Sequence, residues 1–354
     1  MGTSDTVRVG ILGAGFMGSA HAECYDLLDI PIAMIASRSP GTIAGDRPGT
    51  RWSADIEEVI SDAAVDCIDI TLPNHLHLPA ALACIRAGKP FLIEKPLARN
   101  AAEAEQIVTA ARSAGAIAVY GENVRFKPSM VRTKSIIDEG GLGKILLLRA
   151  NEVHNGPFHS DWFWDSEATG GGAVIDMGIH GIFAMEWFMG SRIKRVYAEA
   201  GVLKWADKCL GETEDTAVIV LRFENGGMAE LVVSWAIAGG IDVRFEVFGS
   251  AGTAYLDSAR AARATTIFSE SGYGRGLEEE SQDRPHVSAT RGWSWPAGDE
   301  WAEHGHLAEI RHFVRCAAGQ ETPICTLEDG WRALQVVDAI YRSVKTGAPA
   351  LVGE

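Results

Sequence analysis

The first third of the chain alternates short apolar runs with longer stretches of helical period. Val7–Leu12, Pro31–Ser37, Cys67–Leu72, Phe91–Glu94 and Ile117–Gly121 are mostly apolar and often bounded by Gly, Pro or Asp. Strands of a sheet covered on both faces read this way. Helical stretches such as Ala80–Ala87 and Ala101–Ala114 lie between them, and that rhythm predicts a parallel, doubly wound sheet. After about Lys127 the pattern changes. A helix over Ser129–Glu139 ends at Gly140-Gly141, and longer strands follow: Ile145–Glu152, Val196–Lys204, Thr216–Phe223, Met228–Ala236, Val243–Gly249 and Thr253–Asp257. Turns such as Glu224-Asn225-Gly226-Gly227 join neighbours, as in an antiparallel sheet. Helices over Ile179–Met189, Glu303–Ala318 and Leu327–Thr346 complete the expectation: an α/β chain with a dinucleotide-binding Rossmann domain at 1–126 and an α+β domain at 127–354. The polar, glycine-rich stretch Ser269–Asp299 reads as a long loop.

The 354 residues suffice for two such domains, and a 47% apolar composition for their cores. Net charge is −15 with no basic block, which argues against nucleic acid or an anionic membrane as the main partner. The six cysteines are scattered, without zinc-type spacing, and read as small buried hydrophobes. No run reaches the length of a membrane span and no secretory signal pattern opens the chain, so the expected location is the cytoplasm.

The run Val7–Leu12 leads directly into Gly13-Ala14-Gly15-Phe16-Met17-Gly18. G-x-G-x-x-G alone is weak; between a strand and a helix it predicts a dinucleotide site. Gly13 permits the tight turn, Gly15 lets a pyrophosphate approach the backbone, and Gly18 lets helix and strand pack closely. At the end of the second strand NAD-binding chains place a carboxylate for the ribose diol. Here stand Ala36-Ser37-Arg38-Ser39. A guanidinium and hydroxyls in that place suit a 2′-phosphate, which favours NADP over NAD; the alternative is that Arg38 points into water and either cofactor serves.

Further motifs follow in order: Leu72-Pro73-Asn74-His75-Leu76-His77, Glu94-Lys95-Pro96, Arg125-Phe126-Lys127-Pro128, Gly170-Gly171-Gly172 and Asp176-Met177-Gly178-Ile179-His180. Together with the glycine loop they resemble the Gfo/Idh/MocA family, named for glucose-fructose oxidoreductase, inositol dehydrogenase and rhizopine-catabolism proteins. The resemblance implies a Rossmann domain, a second domain with an open, largely antiparallel sheet, and pyridine-nucleotide oxidation or reduction of sugars, inositols and their derivatives. It implies that Lys95 contacts the reacting hydroxyl near the nicotinamide and that Asp176 and His180 face the substrate. It also places Leu72, Asn74, His77 and Glu94 on the cofactor side. A homo-oligomer, dimer or tetramer, is a further implication.

The chemistry needs such groups. Removing a hydride from a secondary alcohol leaves a proton to be taken by a base that works near neutrality, which histidine does. Asp176, four residues before His180, could reach it across one helical turn and orient the imidazole. Lys95, just past a strand end, can stabilise the developing alkoxide. Taken singly, Lys95 reads equally well as a surface lysine, and Asp176 with His180 as a buried structural pair.

On the substrate side, Trp162 and Trp164, flanked by aspartates, offer faces for sugar C–H groups, although either reads equally as core. Arg125 and His154 are assigned to the same side. Trp293, Trp295 and Trp301 suit packing or subunit contact, and no metal is expected, because His304 and His306 at i, i+2 do not share a helical face. Two other functions compete with a dehydrogenase: a glycosidase or lyase that oxidises its sugar transiently on retained NAD(P), and a non-catalytic nucleotide or sugar sensor.

Overall fold

The computed structural model describes residues 7–39, 47–238, 241–257, 267–269, 292–294 and 304–354. They fall into two compact units: residues 1–126 with 305–334, and residues 127–304 with 335–354.

In the first unit, β1 (Val9–Leu12), β2 (Ile32–Ala36), β3 (Arg51–Ser53), β4 (Cys67–Ile70), β5 (Phe91–Glu94) and β6 (Ala118–Gly121) form one sheet. Its order is β3-β2-β1-β4-β5-β6 and every pair is parallel. β1, β4, β5 and β6 are buried at every position, which is why they read as unbroken apolar runs. Between strands run α1 (Phe16–Leu27), α2 (Ile56–Ser61), α3 (His77–Ala87) and α4 (Ala101–Ala114). The limits of α4 follow from local chemistry: Asn100 accepts from the Glu103 amide at 2.9 Å, and Gly115 ends the helix in the left-handed region. The strand order reverses between β1 and β4, so the carboxyl ends of these two strands mark the crevice where such sheets bind ligands.

The second unit begins with α5 (Pro128–Asp138) and β7 (Ile145–Val153), followed by the short α6 (Ser166–Thr169). A π-helical turn over Val174–Gly178 runs into α7 (Ile179–Met189). Then come β8 (Ile193–Gly201), β9 (Thr216–Phe223), β10 (Met228–Ser234), β11 (Asp242–Gly249) and β12 (Thr253–Asp257). With β15 (Ala350–Leu351) they form a sheet ordered β12-β11-β7-β10-β9-β8-β15. All its pairs are antiparallel except β7 with β10. One face packs on the core: β9 buries Ala217, Ile219, Leu221 and Phe223 and leaves Val218 and Val220 exposed. β8 stops at Gly201, three residues before its expected end, because the amides of Leu203, Lys204 and Trp205 turn onto the Asp215 carboxylate at 2.8–2.9 Å. Part of the expected long loop is a ribbon, β13 (Ile267–Ser269) paired antiparallel with β14 (Gly292–Ser294). The side chain of Trp293 and all of Trp295 and Trp301 lie outside the described residues.

The end of the chain departs from the expected single domain 127–354. α8 (His306–Ala317) packs on α1 and buries Ile310 and Phe313 within the first unit. α9 (Leu327–Thr346) belongs to the first unit through Leu334 and to the second from Gln335. All six cysteines are free thiols and five are buried. Among the described residues no helix is long and apolar enough to cross a membrane.

Candidate active site

At the carboxyl end of β1 the chain turns through Gly13, whose φ is +108° and whose missing Cβ would collide with the Thr71 carbonyl. Gly18, in the first turn of α1, sits against the Gly13 carbonyl oxygen just as closely. Thr71 locks the crossing: its hydroxyl donates to the carbonyls of Leu12 and Gly13 at 3.1 Å, and its amide donates to Leu12 at 2.9 Å. Gly15 is different. It is exposed and nothing lies within 4 Å of where its Cβ would be. It is also the N-cap of α1, with no side-chain cap and no acidic residue in the first turn. An uncapped helix start with positive partial charge and open space beside it fits a pyrophosphate. Phe16 and Met17 follow, half-buried.

Ser37 and Arg38 follow β2. The Ser37 hydroxyl is already engaged: it donates to the Ser39 carbonyl and accepts from Trp52 Nε1 at 3.0 Å. Arg38 is exposed. His77 is buried, and its two ring nitrogens face the carbonyls of Pro96 at 2.8 Å and Leu72 at 2.7 Å. Burial pushes its imidazole below the ordinary value, partly offset by those carbonyls. The neutral ring donates from one nitrogen to one of these two carbonyls, and His77 lies between the segments after β4 and β5. Asn74, one turn earlier, is buried too. Glu94, the last residue of β5, accepts from the Lys95 amide at 3.0 Å and lies 3.1 Å from His21 Nε2. Lys95 is half-buried, and the Lys95–Pro96 peptide is cis. Arg125 is half-buried in a short turn over Asn123–Phe126, its amide bonded to the Glu122 carbonyl at 3.1 Å.

In the second unit the site grows from the start of a helix. Asp176 sits in the π-helical turn with 8% exposure, and His180 follows, half-buried, in the first turn of α7. Such turns recur at functional sites because they displace side chains from ordinary helical register. Asp176 Oδ2 accepts from Trp235 Nε1 at 3.0 Å and lies 3.6 Å from His154 Nε2. The Gly156 amide donates to His154 Nδ1 at 2.9 Å, which makes Nδ1 the acceptor and leaves the proton on Nε2, facing Asp176. The carboxylate is therefore oriented by a buried tryptophan and a histidine of fixed tautomer.

The segment ahead of Asp176 is held by Glu214. Its carboxylate accepts from the amides of Val174 at 2.8 Å and Gly172 at 3.1 Å, and the Tyr341 hydroxyl donates to it at 3.3 Å. A Cβ on Gly172 would collide with the Glu214 backbone, and one on Gly171 with the Tyr341 hydroxyl, so the glycine run is a steric requirement. Burial pushes the Glu214 carboxyl up to about 7 against the opposing backbone hydrogen bonds. Trp164 is core: it is 4% exposed, packs edge-on to Trp205 and Trp235, and Gly156 abuts its ring. Of the two readings that the sequence left open for Trp164, this burial favours core. Trp162 is half-buried and stacks on Phe163 at 3.9 Å.

Motif spacing did not reveal Trp235, Glu214 or Tyr341, which reach the Asp176 segment from 59, 42 and 169 residues away by hydrogen bonds. The visible signal was slight: an aromatic at the end of a strand, and a Glu beside the start of another.

Residues 7–122 match the oxidoreductase family with an NAD-binding Rossmann fold, and residues 130–255 match the GFO/IDH/MocA C-terminal domain. An uncharacterized oxidoreductase of Bacillus subtilis, YrbE, is 30% identical over 98% of this chain and 96% of its own length. A myo-inositol 2-dehydrogenase of Thermotoga maritima is 28% identical over 96% of each chain. The crystal structure of GenD2 from gentamicin A biosynthesis, in complex with NAD, superposes with a TM-score of 0.89 at 27% identity, covering 100% of this chain and 98% of that one.

Proposed function

This chain belongs to the Gfo/Idh/MocA family of oxidoreductases, and from that premise we propose that it interconverts a secondary alcohol and a ketone on an inositol or related sugar alcohol. The observation that carries the reading is the uncapped start of α1, open at Gly15, at the point where the parallel sheet reverses its order. The likeness to the Thermotoga maritima enzyme supports a polyol as substrate.

The α1 start and the Gly13–Gly18 turn hold the pyrophosphate of NAD(P), which supplies the hydride acceptor or donor when bound. Lys95 Nζ stabilises the alkoxide oxygen as the hydride leaves. His180 takes the hydroxyl proton. Asp176, kept dry and fixed by Trp235 and His154, orients the reacting hydroxyl and the imidazole. Arg125 and Trp162 belong to the substrate side of this reading, as His154 does through Asp176.

For the cofactor we infer a preference for NADP. No carboxylate follows β2 to repel a 2′-phosphate, and because the Ser37 hydroxyl is engaged, exposed Arg38 is the group left to meet one. The family resemblance further suggests a dimer or tetramer, which sedimentation would test; cell fractionation would test the expected cytoplasmic location.

The deciding experiment follows absorbance of the reduced nicotinamide with NADP and NAD against inositols, sugars and sugar acids. Turnover with a polyol supports the reading. Tight nucleotide binding with cleavage of a glycoside and no net change in absorbance would overturn it.

A further inference from the structure

Behind Lys95, inside the first unit, lies a charged cluster that the proposed reaction does not use. Four carboxyl-bearing residues, Asp69, Glu94, Glu122 and Glu309, and two imidazoles, His21 and His306, are all buried there. His21 is held through Nδ1, which meets Asp69 Oδ2 at 2.9 Å, and Tyr25 also donates to Asp69 at 3.0 Å; His21 Nε2 lies 3.1 Å from Glu94 Oε1 without a hydrogen bond. Glu309, on α8, is fully buried, and among the described residues neither of its oxygens has a hydrogen-bond partner. His306 Nδ1 stands 3.6 Å from Glu309 Oε2, and its Nε2 meets Asn123 Nδ2 at 3.2 Å. One ligand atom from each of His21, Glu94, His306 and Glu309 lies within 4.8 Å of the others.

Four ionised carboxylates gathered in a dry interior are costly, so protons or cations must offset part of their charge. A proton on Glu309 meets this need directly: its oxygens are buried without a hydrogen-bond partner among the described residues, and one of them lies within 4.8 Å of a Glu94 oxygen, inside the reach of one hydrogen bond or of two through a water.

We propose that Glu309 stands as a neutral carboxylic acid sharing its proton with Glu94, and that this pair positions Glu94 to hold the backbone of Lys95. The positioning half rests on the dehydrogenase reading; the protonation half does not. The groups facing Glu309 agree with it. Burial pushes its carboxyl far up, Glu94, Glu122 and Asp69 push the same way, and only His21 opposes them. Burial alone would lower the His21 imidazole, but Asp69 and Glu94 hold it well above its ordinary value, so its charge is spent on them. The shared proton keeps Glu94 Oε1 toward His21 and Oε2 on the Lys95 amide at 3.0 Å. Glu309 is thus a positioning residue that acts through Glu94.

Infrared spectroscopy of the full-length protein tests the protonation directly. At neutral pH, in a Glu214→Gln background that removes the other raised carboxyl, a protonated-carboxyl C=O band should be present and should vanish on adding Glu309→Gln, with no stoichiometric divalent metal in the purified protein. In turnover, Glu309→Leu should lower kcat about 10-fold at unchanged KM for the nucleotide, while Glu309→Gln, a neutral isostere, restores it to within about 3-fold and keeps the native pH profile. No such band, a bound metal ion removed together with structure by chelators, or a Gln variant as impaired as Leu would each overturn the proposal. Should Glu309→Leu not fold, the band difference between Glu309 and its Gln isostere and the metal content still decide it. The band present with no polyol turned over would leave the protonation standing and sink the dehydrogenase reading.

Discussion

The two units solve the same problem, holding polar groups ready for a ligand, in opposite ways. In the first, the groups that the proposed reading turns toward a ligand are backbone: a left-handed glycine and an uncapped helix start, beside a threonine that fastens neighbouring carbonyls. Side chains such as His77 and Glu94 brace that backbone from behind. In the second unit the central group is a side-chain carboxylate, Asp176, and its orientation depends on partners from distant strands and loops. Backbone sites tolerate little beyond glycine but need few partners. Side-chain sites tolerate substitution of their surroundings yet lose function when one distant partner goes.

Glycine substitutions should break this contrast most severely. Gly172→Ala drives a methyl into the Glu214 backbone, and we expect little soluble protein, or a loss of stability above about 3 kcal/mol by urea unfolding. Gly15→Ala meets open space, so the fold should stand while nucleotide affinity falls at least about 10-fold by fluorescence titration. Equal damage to folding by both would show that Gly15 is structural and not a ligand cradle.

Asp176→Asn keeps the shape of the second site and removes its charge. We expect kcat to fall by about 1000-fold with nucleotide affinity intact, whereas Trp235→Phe, which removes one donor from the buried carboxylate, should cost about 1–3 kcal/mol of stability and some ten-fold in kcat. Wild-type kcat in Asp176→Asn would remove the residue from the chemistry.

Glu214 provides a pH signature for the second unit. Its carboxyl titrates at about 7 in the fold against 4.5 unfolded, so the stability it contributes is complete below about pH 4.5 and is lost as the pH climbs toward 7. That displacement corresponds to roughly 3 kcal/mol, and Glu214→Gln should remove that part of the slope in a comparison of urea midpoints across pH. Parallel curves for the two proteins would mean that Glu214 is already ionised, held by the Gly172 and Val174 amides.

The smallest expected effect is at Arg38. Arg38→Ala should raise KM for NADP about 10-fold and leave KM for NAD unchanged, because one exposed charge-assisted contact is worth little more than 1 kcal/mol. An equal change for both cofactors would end the case for 2′-phosphate recognition.

The elements were largely legible along the chain. Phe91–Glu94, Ala101–Ala114, Thr216–Phe223 and Leu327–Thr346 fall where the pattern of apolar positions and turn residues places them. The glycine turn was legible for the same reason: backbone conformation is a local property, written in adjacent residues. Strand ends were less so, since β8 is cut short by Asp215, a residue beyond its own length. The pairing of β7 with β10, parallel within an otherwise antiparallel sheet, is a matter of topology that no strand records in its own pattern.

By itself, then, the sequence determined two sheets of different kind, a nucleotide turn between strand and helix, and the residues available for acid–base chemistry. Only the tertiary structure decided what surrounds them. It buried Trp164 among other aromatics, set Asp176 beside Trp235 and His154, and placed 305–334 with the first unit. It also brought His306 and Glu309, 285 and 288 residues along the chain from His21, into one buried cluster with it. The physical reason is range. Propensity and turn chemistry act over a few residues, whereas burial and the partners of a buried charge depend on whatever the folded chain brings within a few ångströms.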